Sequence, residues 1–316
     1  MSSKPLPHPL PAPPGHRLPP LLLGLAGLGL AVACWQPLLG WLWRQPPPPV
    51  RLLLDVFDLG VYFRASRWVD GSGRLYQEVF SEYPLAANLV MAGVRWLAGR
   101  LAKGGQDLFP VFVQVWTSLS LILFLAVAGL TRRLAGRAWW LWLVPAFPFF
   151  ALYRFDIYPG VCVLGAMALL ARERWRAAGL ALGLAVAFKG YPLFLLPVVA
   201  SYAWQRRSAR TAVEVVGLAL LPILAGNLVV WATAGWQAML EPYLAQAART
   251  MNGESTVDAA SYVLFWLGVA DPTIITFREW VAGSRWLGLA GAAVAGLGGL
   301  FLGPGSFPGL VRAVLF

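Results

Sequence analysis

A chain of 316 residues that is 59% hydrophobic and only 12% charged, with a mean hydropathy of +0.65, departs from soluble domains, in which about a quarter of residues are charged. Its 25 Lys and Arg against 14 Asp and Glu leave a net charge of +11, but the basic residues stand in twos and threes between apolar runs. That spacing argues against a nucleic-acid surface and for basic loops that set the orientation of a membrane protein.

The first 17 residues, proline-rich and carrying both histidines (His8 and His16), read as a disordered cytoplasmic tail. Residues 18–316 read as a single transmembrane domain. The run from Leu18 to Trp43 is far longer than the core of a cleaved signal, so it is expected to be a retained first span. Pro46 to Pro49 end it, and residues 44–107 follow as an outer juxtamembrane loop of short helices. Further apolar segments fall near 84–102, 108–130, 138–153, 157–171, 177–188, 191–204, 211–233, 257–270 and 285–302. The fold class expected is an all-α polytopic membrane protein with about 8–9 transmembrane helices.

Basic clusters fix the sides. Arg132, Arg133 and Arg137, then Arg172, Arg174 and Arg176, then Arg206, Arg207 and Arg210 all reach the cytoplasm together with Lys4 and Arg17, provided that 84–102 lies along the interface instead of crossing. The alternative is an N-out protein with a true span at 84–102. Asp55, Asp58, Asp70, Glu78, Glu82, Asp107, Asp156, Glu241, Glu254 and Asp258 then fall outside, whereas only Glu173 and Glu214 are placed inside. Acidic residues contribute little to orientation, so this asymmetry is independent of the rule that gave it.

Length adds a second signal. Arg176 to Lys189 spans 13 residues, about 20 Å of helix, against a hydrocarbon core of about 30 Å. A hairpin with its tip at "KGYP" leaves Lys189 within membrane depth, and "YRFDIYP" (Tyr153 to Pro159) is recessed in the same way. Arg154, Asp156 and Lys189 are therefore expected to line a cavity open to the outside, since an ionisable group at that depth is costly. The plainer alternatives are a Lys189 that snorkels and a local ion pair between Arg154 and Asp156.

With His8 and His16 in the tail, and with Cys34 and Cys162 inside apolar runs, histidine bases, zinc sites and cysteine nucleophiles are disfavoured, and neither a metal nor a cofactor is implied. Carboxylates outside and cations deep in an outward cavity suit glycosyl transfer from a lipid-phosphate sugar. A carboxylate can take the proton of the acceptor hydroxyl, and Lys or Arg can hold the departing phosphate.

"DLGVYFRASRWVDGSGRLY" followed by "EYPL", then "RFDIYP", "AAGLALGLAVAFKGYPLFLLP" and "QAARTMNGES", occur in the order seen in one group of enzymes. The chain resembles the GT-C superfamily of polyprenyl-phosphate-sugar glycosyltransferases, and most of all the bacterial, mannosyltransferase-like glycosyltransferase family 87, over roughly Asp55 to Ser255. The resemblance implies that Asp58, with Tyr62 a few residues on, is the catalytic base, and that the mechanism is inverting. Lys189, Arg154 and Arg249 are the candidates for holding the donor phosphate. Asp55, Tyr62, Tyr83, Asp156 and Glu254 are expected to contact the sugar or the acceptor. Relatives carry a late "SPQY"-like motif that is missing before Phe316, which implies a short or truncated relative. The expected partners are a polyprenyl-phosphate-linked sugar, a lipid or glycan acceptor and the bilayer of the cell membrane, without nucleic acid. The alternatives are a transporter or lipid flippase, or a catalytically inactive relative.

Overall fold

The computed structural model describes residues 57–102, 104–135 and 151–248, all within the compact unit that begins at Asp55. Among these residues every regular element is helical, and the one pairing of extended backbone is an isolated bridge between Leu75 and Val79. In chain order the helices are α1 (Phe57–Ala65), α2 (Leu85–Leu101), α3 (Leu108–Ala135), α4 (Ile157–Leu170), α5 (Trp175–Phe188), α6 (Leu196–Arg206), α7 (Ala209–Ala234) and α8 (Trp236–Ala248), with 3-10 turns at Arg67–Asp70 and Tyr191–Leu195.

Two of these helices, Leu108–Leu134 and Ala209–Ala234, are long and apolar enough to cross a membrane. α4 and α5 are apolar but have 14 residues each, about 21 Å of helix. α2, which carries Arg95 and Arg100, is not among the long apolar helices. The segments 18–43, 257–270 and 285–302, and most of 138–153, lie outside the described residues, as do the expected boundary at residue 17 and the first part of the loop from residue 44.

Local chemistry explains the helix ends. Asp107 Oδ1 accepts the Phe109 backbone N–H (3.1 Å) as α3 starts, and Arg132 and Arg133 occupy its last turn. Ser208 Oγ accepts the Thr211 N–H (3.1 Å) and opens α7. α5 stops at Phe188 because Lys189 is extended (φ −157°), and Pro192 sits in the 3-10 turn that follows. The chain then returns along α6, as the rings of Trp175 and Tyr202, at the two far ends of this hairpin, lie 5.7 Å apart.

The core beneath the hairpin is built from Met167, Leu170, Leu182, Val198, Tyr202 and Val215, with small residues where helices approach most closely. Gly179 and Gly183 on α5 face α7 directly. A Cβ on Gly183 would sit 2.6 Å from the Ala219 carbonyl oxygen and 2.8 Å from Pro222 Cδ, and one on Gly179 would sit 2.8 Å from the Val215 carbonyl oxygen. This is the small-xxx-small packing that lets membrane helices bring their backbones together. Because the obstruction is backbone, side-chain motion cannot relieve it. Gly183→Ala is expected to lower thermal stability in detergent by about 1–3 kcal/mol. Gly217→Ala, on α7 with no neighbouring atom within 4 Å of the added carbon, is expected to leave stability unchanged or to raise it by up to about 1 kcal/mol.

The segment between α1 and α2 buries Tyr76, Val79 and Tyr83 and is also held by polar contacts. Asn88, fully buried on α2, donates from its amide to Tyr76 Oη (2.8 Å) and to the Tyr83 carbonyl (2.7 Å), and accepts from Ser81 Oγ (2.8 Å). Arg95 Nε bonds Asp70 Oδ2 (2.5 Å), its Nη1 donates to the Phe63 carbonyl at the end of α1 (2.9 Å), and its guanidinium lies over the Phe63 ring (4.2 Å). Gln77 reaches the Ala234 carbonyl (2.9 Å) and Gln246 the Glu82 carbonyl (3.2 Å), so the loop is pinned to the end of α7 and to α8. Glu78, whose carboxylate accepts the Arg74 backbone N–H and pairs with its guanidinium, has its acidity raised by that clasp.

One end of the bundle therefore collects α1, the loop, the start of α4, the end of α5 and the end of α7. The opposite end collects Arg132 and Arg133, the turn with Arg172 and Arg174, and Arg206 with Arg207. There Arg176, at the start of α5, bonds Glu214, near the start of α7 (3.2 Å). The acidic loop and the arginine clusters thus occupy opposite ends of the same helices.

Candidate active site

Asp58 lies in the first turn of α1, where the helix macrodipole favours a carboxylate. Four residues on, and so on the same face, Tyr62 donates its hydroxyl to Asp58 Oδ2 (3.3 Å). The same oxygen takes Arg154 Nη1, which arrives from a segment 96 residues away. Only 20% of the Asp58 side chain and 11% of the Arg154 side chain are exposed. At that depth removing one partner strands the other charge.

Arg154 belongs to a three-residue turn that precedes α4. Each of its residues has a separate task. Arg154 holds Asp58. The Phe155 backbone N–H donates to Tyr62 Oη (3.1 Å). Asp156, at the N-terminal edge of α4, accepts Lys189 Nζ on Oδ1 (2.6 Å), a pair that stays half-open to its surroundings. Lys189 stands where α5 ends, on the residue that breaks the helix. Thus the expected neighbours Arg154, Asp156 and Lys189 are brought together, but Arg154 reaches back to Asp58 while Asp156 takes Lys189.

The floor of the site is aromatic. Tyr62, Tyr83, Trp116 and Phe155 form a cluster, with the Tyr62 and Trp116 centroids 4.8 Å apart and Tyr83 edge-on to Tyr62 at 5.6 Å. Phe155 stacks on Tyr158 (4.7 Å, 13° between planes) and meets Phe188 edge-on. These rings, drawn from α1, the loop, α3, the turn and α5, set the height of the turn against α1. Tyr62 and Tyr83, expected to line a sugar pocket, are instead closed in, at 1% and 5% exposed. Burial, then the neighbouring Tyr83 and Asp58, hold the Tyr62 phenol well above its usual range, so it stays a donor at any working pH.

The sign of the linkage follows. A phenol whose folded value is raised contributes its full stability below the unfolded value of about 10 and loses it as pH climbs beyond that. Tyr76, buried in the same loop, is raised as well. Melting temperature is therefore expected to fall as pH passes about 10, with a smaller fall in Tyr62→Phe.

Asp55, Arg249 and Glu254 lie outside the described residues. Asn88, Tyr76 and Arg95 were not anticipated as supports of the loop. Asn88 in the run "EYPLAANLV" was the available signal, a lone amide in an otherwise apolar helix start.

The model of glycosyltransferase family 87 matches residues 80–309, most of the chain. The chain belongs to glycosyltransferase family 87. No curated protein and no solved structure matches it. As a family 87 glycosyltransferase it uses a sugar donor and an acceptor. The match opens beyond Asp58 and Tyr62, takes in Tyr83, Arg154, Asp156, Lys189, Arg249 and Glu254, and runs past Ser255, where the resemblance read from the sequence stops. A family 87 membership joined to two long apolar helices is consistent with a membrane protein.

Proposed function

We propose that the protein is a multi-pass membrane glycosyltransferase. It moves a mannose-like sugar from a polyprenyl-phosphate donor to a lipid or glycan acceptor on the extracytoplasmic face, with inversion at the anomeric carbon. The observation that carries this reading is the pair of carboxylate–cation contacts, Asp58 with Arg154 and Asp156 with Lys189, mounted on one turn at the helix ends opposite the arginine clusters. The positive-inside rule puts those clusters in the cytoplasm, which leaves the site outside.

The chemistry then runs as follows. The acceptor hydroxyl approaches Oδ1 of Asp58, since Arg154 and Tyr62 engage Oδ2. As its proton passes to the carboxylate, the acceptor oxygen bonds the anomeric carbon. The bond from that carbon to the phosphate oxygen breaks on the opposite face. The polyprenyl phosphate departs with the electron pair, and Lys189 supplies positive charge to it, with Arg249 as a further cation. Protonation of Asp58 removes the counter-charge of Arg154 at the moment when negative charge grows on the phosphate, so Arg154 serves both steps. Asp156 and Glu254 are assigned to sugar or acceptor hydroxyls, and Asp55 to the neighbourhood of the base.

The test is transfer by purified protein offered polyprenyl-phosphate sugars beside nucleotide sugars. Transfer from polyprenyl-phosphate mannose alone supports the reading. Transfer from a nucleotide sugar, with none from any polyprenyl-phosphate sugar, would overturn the donor class.

A further inference from the structure

Tyr62 is buried at 1% exposure among Trp116, Tyr83 and Phe155, so its hydroxyl is closed off from a sugar bound outside this cluster. That hydroxyl is nevertheless fully engaged. The Phe155 N–H can only donate, so it occupies a lone pair of the phenol oxygen (3.1 Å) and directs the phenol's own proton elsewhere. Two acceptors remain for it, the neighbouring Tyr83 side chain and Asp58 Oδ2, which stands 3.3 Å away on the preceding helical turn. This is long for an O–H···O bond, and contacts of this kind commonly tighten once substrate is bound.

The wider geometry gives the contact its purpose. The oxygen of Tyr62 joins two charged elements of the site, α1 with Asp58 and the turn with Arg154 and Asp156. Through Asp156 the linkage extends to Lys189 (2.6 Å). The ring itself is wedged between Trp116 of α3 and the edge of Tyr83, so the hydroxyl cannot swing away without disturbing the core.

We propose that Tyr62 is a positioning residue: its hydroxyl, set by the Phe155 backbone, holds Oδ2 of Asp58 and thereby aims Oδ1 at the acceptor, keeping the base in register with the cations of the turn. This inference rests on the reading of Asp58 as base. It also replaces the sugar contact expected for Tyr62 with an action through Asp58. The raised phenol keeps its proton throughout, so Tyr62 orients the base without exchanging protons with it.

The experiment compares wild type, Tyr62→Phe, Asp58→Asn and the double variant, with radiolabelled polyprenyl-phosphate mannose as donor and an alkyl mannoside as acceptor. Tyr62→Phe keeps the ring in the core, and its melting temperature is recorded alongside. In Tyr62→Phe, kcat should fall about tenfold, the equivalent of one hydrogen bond, with the donor KM unchanged. Added to Asp58→Asn, the substitution should have no further effect, since Tyr62 acts through that carboxylate. A raised KM with unchanged kcat would overturn the inference in favour of a sugar contact. A double variant clearly slower than Asp58→Asn would overturn it whatever the melting temperature does. Loss of transfer in Asp58→Asn beside full activity in Tyr62→Phe would sink this inference alone. Wild-type activity in Asp58→Asn, or no transfer by any of the proteins, would remove the reading beneath it.

Discussion

Replacing Asp58 by Asn is expected to lower sugar transfer by about 10²–10⁴-fold, the usual contribution of a positioned general base. The amide keeps the shape of the side chain and still offers an oxygen to Arg154 and Tyr62, so the three-way contact at the end of α1 survives in neutral form. Donor binding should therefore persist. The measurement is kcat and donor KM for the purified variant, with the melting temperature as a check on folding. A fall confined to kcat places the loss in the transition state. The stability cost is real but secondary, because Arg154, mostly buried, loses an ionic partner.

Lys189→Gln is expected to have the second largest effect, a loss of about 10²–10³ in kcat/KM, the range seen when a donor to a developing negative charge is removed. Lys189 ends α5 on an extended residue, so its ammonium is offered at the mouth of the hairpin with Asp156 as its resting partner. That pair is half exposed, and surface pairs of this kind contribute about 0–1 kcal/mol. The protein can release Lys189 to a phosphate at little cost, and Lys189→Gln should fold as the wild type does. Both kcat and donor affinity should suffer, in contrast to Asp58→Asn. A Lys189→Gln protein with unchanged kinetics would assign the phosphate to Arg154 and Arg249.

Much of the helical frame was legible because period and length speak for themselves. The apolar runs at 108–130, 157–171 and 211–233 became α3, α4 and α7 with shifts of a few residues, and the arithmetic from Arg176 to Lys189 located the end of a helix too short for a full span. The same shortness led to Arg154, Asp156 and Lys189 being expected together, and Asp156 does meet Lys189. Which charge pairs with which did not follow. Asp58 and Arg154 are 96 residues apart in sequence, and their contact depends on how α1 packs, which no local pattern encodes.

Tyr62 and Tyr83 show the opposite failure. A tyrosine near a site reads as a lining residue, but ring volume decides otherwise. Trp116 and Phe155 pack on Tyr62 and Phe155 packs on Tyr83, and the Tyr62 hydroxyl is kept in use inside the core. The Gly179 and Gly183 spacing was visible in "AGLALGLAV" as small residues four apart. Its meaning appeared only with α7 laid across it, where the Val215 and Ala219 carbonyls occupy the space of two missing side chains.

The most direct test of Asp58 as the acceptor's base is transfer by Asp58→Ala with and without added formate, using polyprenyl-phosphate mannose as donor. Alanine removes the carboxylate and leaves room for a small one. If Asp58 takes the proton, transfer is nearly absent without formate and rises with formate concentration, while wild type does not respond. Transfer by Asp58→Ala at the wild-type rate, unaffected by formate, would contradict the account.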